Sequence, residues 1–178
     1  WTEQGIGEEI LISTMINDVI KKTKSITLLC SERMIPLYKR SFKKINVIER
    51  KEPLASKAID SSLDYQMSLS ELGLLLRPDI QSFSETTKAS LRANKILKEK
   101  LIKKYHGITN SKFLIGISWN SQTPKIGKLK SIAPQYFSSL EKNAKIGLIS
   151  LQYNPTKDDL KLIRKIFGNN FFHDETID

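Results

Sequence analysis

Two glycines and two acidic residues near the start of the chain are the first residues with an evident chemical use. Gly5 and Gly7 are two apart, and Glu8 and Glu9 follow directly before an apolar run at 10–20. A glycine-rich loop that leads into a helix leaves free N–H groups and the positive end of the helix dipole at the loop. That arrangement suits an anion or a sugar held near acidic side chains. The pattern also fits a plain tight turn, and it lacks the third glycine of a dinucleotide-binding fingerprint.

A second group of candidates follows the most apolar segment of the chain. Residues 112–119 read KFLIGISW, which predicts a parallel strand covered on both faces. Ser118 comes at the end of that strand, where binding residues of parallel sheets gather, and is therefore a candidate cleft residue. Trp119 suits either stacking on a sugar or packing in the core. No Cys and His cluster has metal-ligand spacing, so we expect neither a metal nor another cofactor.

The elements that position these residues alternate between short apolar strands and helices. The predicted strands are 25–30, 45–48, 63–69, 112–119, 144–152 and 171–173. The predicted helices are 10–22, 33–42, 70–76, 91–105, 131–143 and 155–167. The first helix is expected to be buried on most of its circumference. The helix at 91–105 has a lysine-rich face, expected to be solvated, and an apolar face opposite to it formed by Ile96, Leu97, Leu101 and Ile102. Gly107 is a plausible cap for this helix. The alternation predicts an α/β fold, with a Rossmann-like parallel sheet and helices on both faces.

The composition is that of a soluble globular protein. Hydrophobic residues make up 39% and charged residues 27% of the 178 positions. No apolar run reaches the roughly 18 residues that span a bilayer, and residues 1–20 do not resemble a signal peptide. The lone Cys30 lies in an apolar run and indicates a buried thiol in a reducing cytosol. We therefore expect a cytoplasmic protein without a membrane span.

The net charge of +10 has two interpretations. One is an anionic partner, such as nucleic acid, a membrane or a phosphorylated substrate. The other is an A/T-rich genome, which favours Lys, Ile and Asn. Because 23 of the 29 basic residues are Lys, the composition argues against sequence-specific nucleic-acid binding, which favours the bidentate contacts of Arg.

Four segments, in order, resemble motifs of one family. Residues 1–10, WTEQGIGEEI, resemble (W/S)-x-E-Q-G-x-G-D-x-I, and residues 36–42, PLYKRSF, resemble P-L-x-x-R-S-F. Residues 116–119, with 130–132 after them, resemble G-x-S-W followed by a basic residue and Ser-Ile-Pro. Residues 149–153 resemble a strand that ends in S-L-Q. The chain thus resembles the glycosyltransferase domain that follows tetratricopeptide repeats in many bacterial proteins, and it is similar to the heptosyltransferase and O-GlcNAc-transferase-like groups.

The resemblance implies one half of a GT-B fold, in which two Rossmann-like halves enclose the active site. It assigns residues 1–143 to the acceptor-side domain and residues 144–178 to the start of a truncated donor-side domain. The implied partners are a nucleotide-sugar donor, a glycan or protein acceptor and the missing C-terminal half. The first loop has no strand before it and the last strand no helix after it, so we expect a fragment that is inactive alone.

The resemblance also gives roles to individual residues. Glu8 occupies the position of the proposed catalytic base, where the family usually has Asp; it also suits a purely electrostatic role at the helix N-terminus. Glu3 and Gln4 are placed to hydrogen-bond an acceptor sugar or to brace the loop. Lys128 and Lys130 match positions that face the donor phosphates, although solvated lysines would give the same sequence. The substrate-binding candidates are Glu3, Gln4, Gly5, Gly7, Ser118, Lys128 and Lys130.

Two other functional classes remain open. A non-catalytic Rossmann-like module that docks a protein or a glycan fits the same elements. Nucleic-acid binding driven by charge alone predicts an affinity that falls steeply with salt. The chain lacks the interleaved aromatic residues expected of a protein that binds single strands.

Overall fold

The chain folds into two compact units. In the computed structural model the described residues are 1–2, 5–51, 63–83, 90–121, 127–140 and 145–176. Trp1–Asn94 form the first unit and Lys95–Asp178 the second unit. Both contain parallel strands and helices, which confirms the predicted α/β class. The strands belong to two small sheets, whereas the sequence predicted one.

Within its described residues, the first unit contains two parallel strands and four α-helices. β1 pairs with β2 from Thr27 opposite Asn46 to Cys30 opposite Glu49. Its core joins side chains of β1, β2, α2 and α3 with Leu69, among which Cys30 and Tyr38 are fully buried. The elements of this unit are α1 Ile6–Ile12, α2 Ile16–Lys22, β1 Thr27–Cys30, α3 Ile35–Ser41, β2 Asn46–Glu49 and α4 Leu72–Leu76.

The first two residues extend this sheet through backbone hydrogen bonds. The Thr2 N–H donates to the Leu29 carbonyl at 3.0 Å. On the other side, the Trp1 amino group donates to the Met67 carbonyl at 3.0 Å, and the Leu69 N–H donates to the Trp1 carbonyl at 2.8 Å. The predicted strand at 63–69 is therefore wrong, since none of these residues belongs to a strand. Met67 and Leu69 only make these backbone hydrogen bonds with Trp1.

The second unit is a three-stranded parallel sheet covered on both faces. The strand order is β3-β4-β5, with Ile117, Ser150 and His173 side by side. One face packs against α6 through a cluster that contains Leu148 and Ile163. On the other face α5 contacts the sheet. The elements are α5 Lys95–Thr109, β3 Phe113–Ile117, β4 Ile146–Ser150, α6 Lys157–Phe167 and β5 Phe171–His173.

The helices predicted at 10–22 and 131–143 are not continuous α-helices in the structure. The helix predicted at 10–22 begins at Ile6, so Gly7 lies within it, and a 3-10 turn at Ser13–Met15 divides it into α1 and α2. It is not buried on most of its circumference, since Leu11 is 71% exposed. Residues 134–140 form a 3-10 helix instead of the predicted α-helix at 131–143. Pro134 begins this segment, and residues 141–144 lie outside the described part of the chain.

Helix α5 buries a different face from the predicted one. Tyr105 and Thr109 are its buried side chains, whereas Ile96 is 81% exposed and Leu97 is also exposed. The Tyr105 ring packs on the Phe172 ring with centroids 6.0 Å apart, and this contact orients the helix. Gly107 lies inside α5 and does not cap it. The helix ends instead before Asn110, which adopts a positive φ of 45° that Asn tolerates better than most residues.

The two units divide between Asn94 and Lys95. The assignment of residues 1–143 and 144–178 to two domains stays a prediction. Strand β4 pairs along its whole length with β3, so residues on the two sides of the predicted boundary belong to one sheet. Among the helices of the described ranges, none is long and apolar enough to cross a lipid bilayer.

Candidate functional site

The polar groups of the second unit gather where its three strands end, an edge that we call the carboxyl edge. Ser118 follows β3, Gln152 lies two residues beyond β4, and Asp174 follows β5. Because β3 and β4 are adjacent and parallel, Ser118 and Gln152 are brought together although 34 residues separate them. The carboxyl edge of a parallel sheet is where ligands of α/β proteins usually bind.

The side chain of Gln152 joins the ends of β3 and β4. Its Oε1 accepts from the Ser118 hydroxyl at 3.1 Å, from the Trp119 N–H at 2.9 Å and from the Asn120 N–H at 2.8 Å. Its Nε2 donates to the Asn120 carbonyl at 2.8 Å and to the Tyr153 carbonyl at 2.9 Å. Gln152 is 6% exposed. One buried amide therefore fixes the segment that follows β3.

A third segment is tied to the same edge by Ser131. The Ser121 N–H donates to the Ser131 hydroxyl at 3.0 Å, and that hydroxyl lies 2.9 Å from Asn120 Oδ1. The Ile132 N–H donates to the Trp119 carbonyl at 2.8 Å. Residues 127–130 form the 3-10 turn that precedes Ser131, so the exposed Lys128 and Lys130 are attached directly to this network.

Trp119 and Asp174 have structural partners. Trp119 is 2% exposed, belongs to the core beside α6, and donates its indole N–H to Asp159 at 3.1 Å. The structure thus favours packing over stacking on a sugar for this residue. The buried Asp174 carboxylate accepts from Lys104 at 2.5 Å and from the Tyr105 hydroxyl at 3.1 Å.

The contacts of Asp174 perturb two pKa values. Its bonds to Lys104 and then to Thr176 hold the pKa of the Asp174 carboxyl well below its ordinary value. Burial, and next the hydrogen bond to Asp174, raise the pKa of Tyr105 to about 12. The neighbouring His173 has a buried Nδ1 atom that finds no hydrogen-bond partner within the described ranges.

In the first unit the two adjacent acidic residues have different environments. Glu8 is exposed in the first turn of α1, and the Glu9 N–H after it donates to the Gly5 carbonyl at 3.0 Å. Glu9 is 2% exposed, and its Oε2 accepts from the Ser31 hydroxyl at 3.1 Å. Its Oε1 is buried without a partner in the part of the chain that the structure describes. Glu8 is therefore exposed at the surface of the first unit, whereas Glu9 anchors the turn.

The surroundings of Glu9 are closed to solvent. The Tyr38 hydroxyl donates to the Glu9 carbonyl at 3.1 Å, which joins α3 to α1. Burial, followed by the negative charge of Glu9, raises the pKa of the Cys30 thiol to about 12. The same two causes raise the pKa of Tyr38 above its ordinary value. Neither group ionises near neutral pH, so neither is a reactive nucleophile there.

The predicted site residues fall into separate groups. Glu8, Gly5 and Gly7 belong to the first unit; Ser118, Lys128 and Lys130 belong to the second. Glu3 and Gln4 lie outside the described residues. Gly5 adopts an extended backbone at φ −68°, and a Cβ on it would lie 3.2 Å from Glu8 Oε2, so the Glu8 side chain would have to shift. A Cβ on Gly7 would touch nothing within 4 Å. Neither glycine has the positive φ that would require it.

Sequence reasoning missed three residues of the carboxyl edge, which are Asn120, Ser131 and Gln152. Gln152 and Ser131 lie within segments that resemble family motifs, and this resemblance was the available signal. Asn120 had no signal, since its contacts depend on which strand ends are adjacent. The sequence singled out Glu9 with Glu8 but did not predict that Glu9 is buried.

The arrangement of the carboxyl edge can bind a polar, negatively charged ligand. It combines the exposed cations Lys128 and Lys130 with exposed polar groups at Ser118 and Asn120, on a rigid base. In the first unit, the exposed Glu8 carboxylate can accept a proton. Comparison with known proteins gives no match to this chain, either among protein families, among curated proteins or among solved structures.

Proposed function

We propose that this chain forms part of a glycosyltransferase that moves a sugar from a nucleotide-sugar donor to an acceptor hydroxyl. One observation carries the proposal. The three segments of the second unit that resemble family motifs, 116–119, 130–132 and 149–153, are far apart in sequence but are bonded to one another at the carboxyl edge. Gln152 joins the first and third, and Ile132 bonds to Trp119. A chance resemblance would not be expected to place all three segments together.

The two motif-like segments of the first unit also contact each other. Residues 1–10 hold Glu9, and residues 36–42 hold Tyr38, whose hydroxyl donates to the Glu9 carbonyl. This contact supports the turn that carries Glu8. These five segments therefore form two groups, each with contacts inside its own unit.

In this proposal the two groups have different roles. Transfer to a hydroxyl needs a base beside the acceptor and positive charge beside the leaving diphosphate. Glu8 is the base, because it is the exposed carboxylate at the turn, whereas Glu9 is buried. Lys128 and Lys130 supply positive charge for the donor phosphates, and Ser118 and Asn120 supply polar contacts. The acceptor is a glycan or a protein, and a further segment completes the active enzyme.

The donor assignment is tested by titrating the 178-residue chain with nucleotide sugars while amide chemical shifts are recorded by NMR. We expect saturable shifts centred on Asn120 and Ser131. Replacing Lys128 and Lys130 together by Ala removes two charges beside the site and should weaken binding at least tenfold. The matched control replaces two other exposed lysines of the same unit by Ala. Lys112 lies just before the start of β3, and Lys165 lies in the last turn of α6. This variant should bind as the wild type does.

Two outcomes would contradict the donor assignment. One is the absence of saturable binding to any nucleotide sugar. The other is an equal loss of affinity in both double variants, which would indicate general charge attraction. Binding of a glycan or a protein without any response to nucleotide sugars would favour the non-catalytic binding module instead.

The base assignment is tested in the active enzyme by Glu8→Gln. A well-placed base contributes about 10²- to 10⁴-fold, so turnover should fall by that order while the urea midpoint stays unchanged. Glu32→Gln is a suitable control, because Glu32 is also exposed in the first unit. Wild-type turnover in the Glu8 variant would remove this residue from the base role.

A further inference from the structure

We propose that Gln152 is a positioning residue of the carboxyl edge, which sets the placement of Ser118 and Asn120 while taking no part in ligand contact itself. The identity of the ligand that Ser118 and Asn120 would contact rests on the proposed function. The claim that Gln152 holds these two residues rests only on the contacts of the second unit. The two parts therefore have separate tests.

The Gln152 amide has no hydrogen-bonding capacity left for a ligand. An amide oxygen has two lone pairs, and Oε1 already accepts from three donors at 2.8 to 3.1 Å. The amide nitrogen has two hydrogens, and both are directed to carbonyl oxygens at 2.8 and 2.9 Å. Since the residue is also 6% exposed, it can act only through the groups that it binds.

The groups held by Gln152 lead directly to the exposed residues of the candidate site. Both the N–H and the carbonyl of Asn120 are bound to it, so the backbone of Asn120 is fixed on two sides. The Asn120 side chain is then available to bond Ser131, the neighbour of Lys130. The Ser118 hydroxyl is oriented in the same way by Oε1. A single side chain thus determines where three polar groups and the adjacent lysine turn are placed.

The geometry requires an amide of this length. A Glu at 152 would keep the acceptor oxygen but would direct a carboxylate oxygen at the Asn120 and Tyr153 carbonyls, which repel it. A Met would match the volume but would make none of the five hydrogen bonds. An Asn would be one methylene short of the end of β3. Of these side chains, only Gln can both accept hydrogen bonds from the segment after β3 and donate to carbonyls of the segments after β3 and after β4.

The experiment is amide hydrogen exchange on the 178-residue chain with Gln152→Glu and Gln152→Met. The Trp119 and Asn120 amides, which both donate to Oε1, should exchange about 10- to 100-fold faster in Gln152→Met, which has no acceptor there. They should also exchange faster in Gln152→Glu, because repulsion from the Asn120 and Tyr153 carbonyls draws the carboxylate away from both N–H groups. Amides inside β3 and β4 should keep their protection. Gln135→Glu is the matched control, since Gln135 is exposed in the same unit and the same change there should alter neither amide.

The pH dependence of the Glu variant separates positioning from plain structural support. Below about pH 4, where a Glu carboxyl is protonated, the new side chain regains one O–H donor. The excess exchange of Gln152→Glu over the wild type should therefore shrink at low pH, whereas that of Gln152→Met should not. Nucleotide-sugar affinity in Gln152→Glu at neutral pH should fall about tenfold with both lysines intact.

Three results would overturn the proposal. One is wild-type protection of the Trp119 and Asn120 amides in both variants. Another is an equal loss of protection throughout the second unit, or its unfolding in both variants, since Gln152 would then serve stability in general. The third is a nucleotide-sugar affinity that does not change although the two amides are released. If the wild-type chain binds no nucleotide sugar, the proposed function fails, and the exchange result still decides how the segment is held.

Discussion

The most specific expectation about packing concerns Gly147, at the point where β4 passes under the last turn of α5. A Cβ built on Gly147 would lie 2.3 Å from Ser111 Oγ and 2.5 Å from Thr109 Oγ1. Ordinary contacts are longer by about 1 Å, so both hydroxyls would have to move. They are buried, and they bond to each other at 2.6 Å, while Thr109 also bonds to the Tyr105 carbonyl at 2.8 Å.

The cost of Gly147→Ala follows from these contacts. Overpacking a buried position costs about 1–3 kcal/mol, and a disturbed buried hydrogen bond adds about 1 kcal/mol. Replacing Gly by Ala within a strand also raises the free energy of unfolding by roughly 0.5–1 kcal/mol, because Ala loses less conformational freedom on folding. The net expectation is a free energy of unfolding lower by about 1–3.5 kcal/mol. Urea denaturation should show this as a lower midpoint with an unchanged slope.

Gly116 gives a matched comparison on the adjacent strand. A Cβ there would lie 2.4 Å from Leu151 Cδ1, but Leu151 is 66% exposed and its side chain can rotate away. Gly116→Ala should therefore change the stability by less than about 1 kcal/mol. The packing argument would be refuted if the two alanine variants had the same midpoint. It also predicts that removing both hydroxyls, in Thr109→Ala with Ser111→Ala, partly offsets the loss in Gly147→Ala.

Three further expectations concern charge, capping and thiol reactivity. Asp174→Asn leaves Lys104 without its counter-charge and should lower the free energy of unfolding, measured by urea denaturation at pH 7, by about 2–3 kcal/mol. The control variant Asp158→Asn, at an exposed residue, should change it by less than about 0.5 kcal/mol. Because the pKa of Asp174 is depressed in the folded chain, this difference is present above about pH 4 and should diminish as the pH falls further, which a pH series of denaturation curves measures. Thr156→Ala removes the cap that accepts from the Asp159 N–H and should cost about 1 kcal/mol in the same assay. The buried Cys30 should remain unmodified by a thiol reagent at pH 8 until the first unit is unfolded by urea, and rapid labelling of the native chain would contradict its burial.

The elements with strong local signals could be predicted from the sequence. Helix α6 was expected at 155–167 and is observed at Lys157–Phe167, because Thr156 caps its start and Gly168, at φ 53°, ends it. The apolar runs that became β1, β3 and β4 were also identified. In each case the residues that decide the structure lie within a few positions of one another.

The errors in the helices arise where distant packing decides the outcome. In α5, one face has four isoleucine and leucine residues, including Ile96, whereas Tyr105 is the single aromatic residue of the helix. The number of apolar side chains therefore indicated that the face with Ile96 would be buried. The sheet instead buries Tyr105 and Thr109, since only that face meets Phe172. In α1, the two glycines predicted a loop that would end before the helix. The helix instead begins at Ile6, so Gly7 lies in its first turn.

The candidate site was only partly predictable for a related reason. Ser118 was expected at a strand end, and the structure confirms that position. The role of Gln152 depends on the register between β3 and β4, which local periodicity does not specify. The division at Asn94 likewise follows from which strands share a sheet. Pairing over long separations is therefore the information that the residue pattern lacked.

The sealed environment of Cys30 has a practical consequence for studying motion. This thiol is the single cysteine of the chain and is fully buried, so a new surface cysteine would be the only one open to a maleimide dye. A dye pair could thus be installed, one on each unit, without first replacing the native residue. Fluorescence energy transfer between the dyes would then report directly whether a nucleotide sugar changes the separation of the two units.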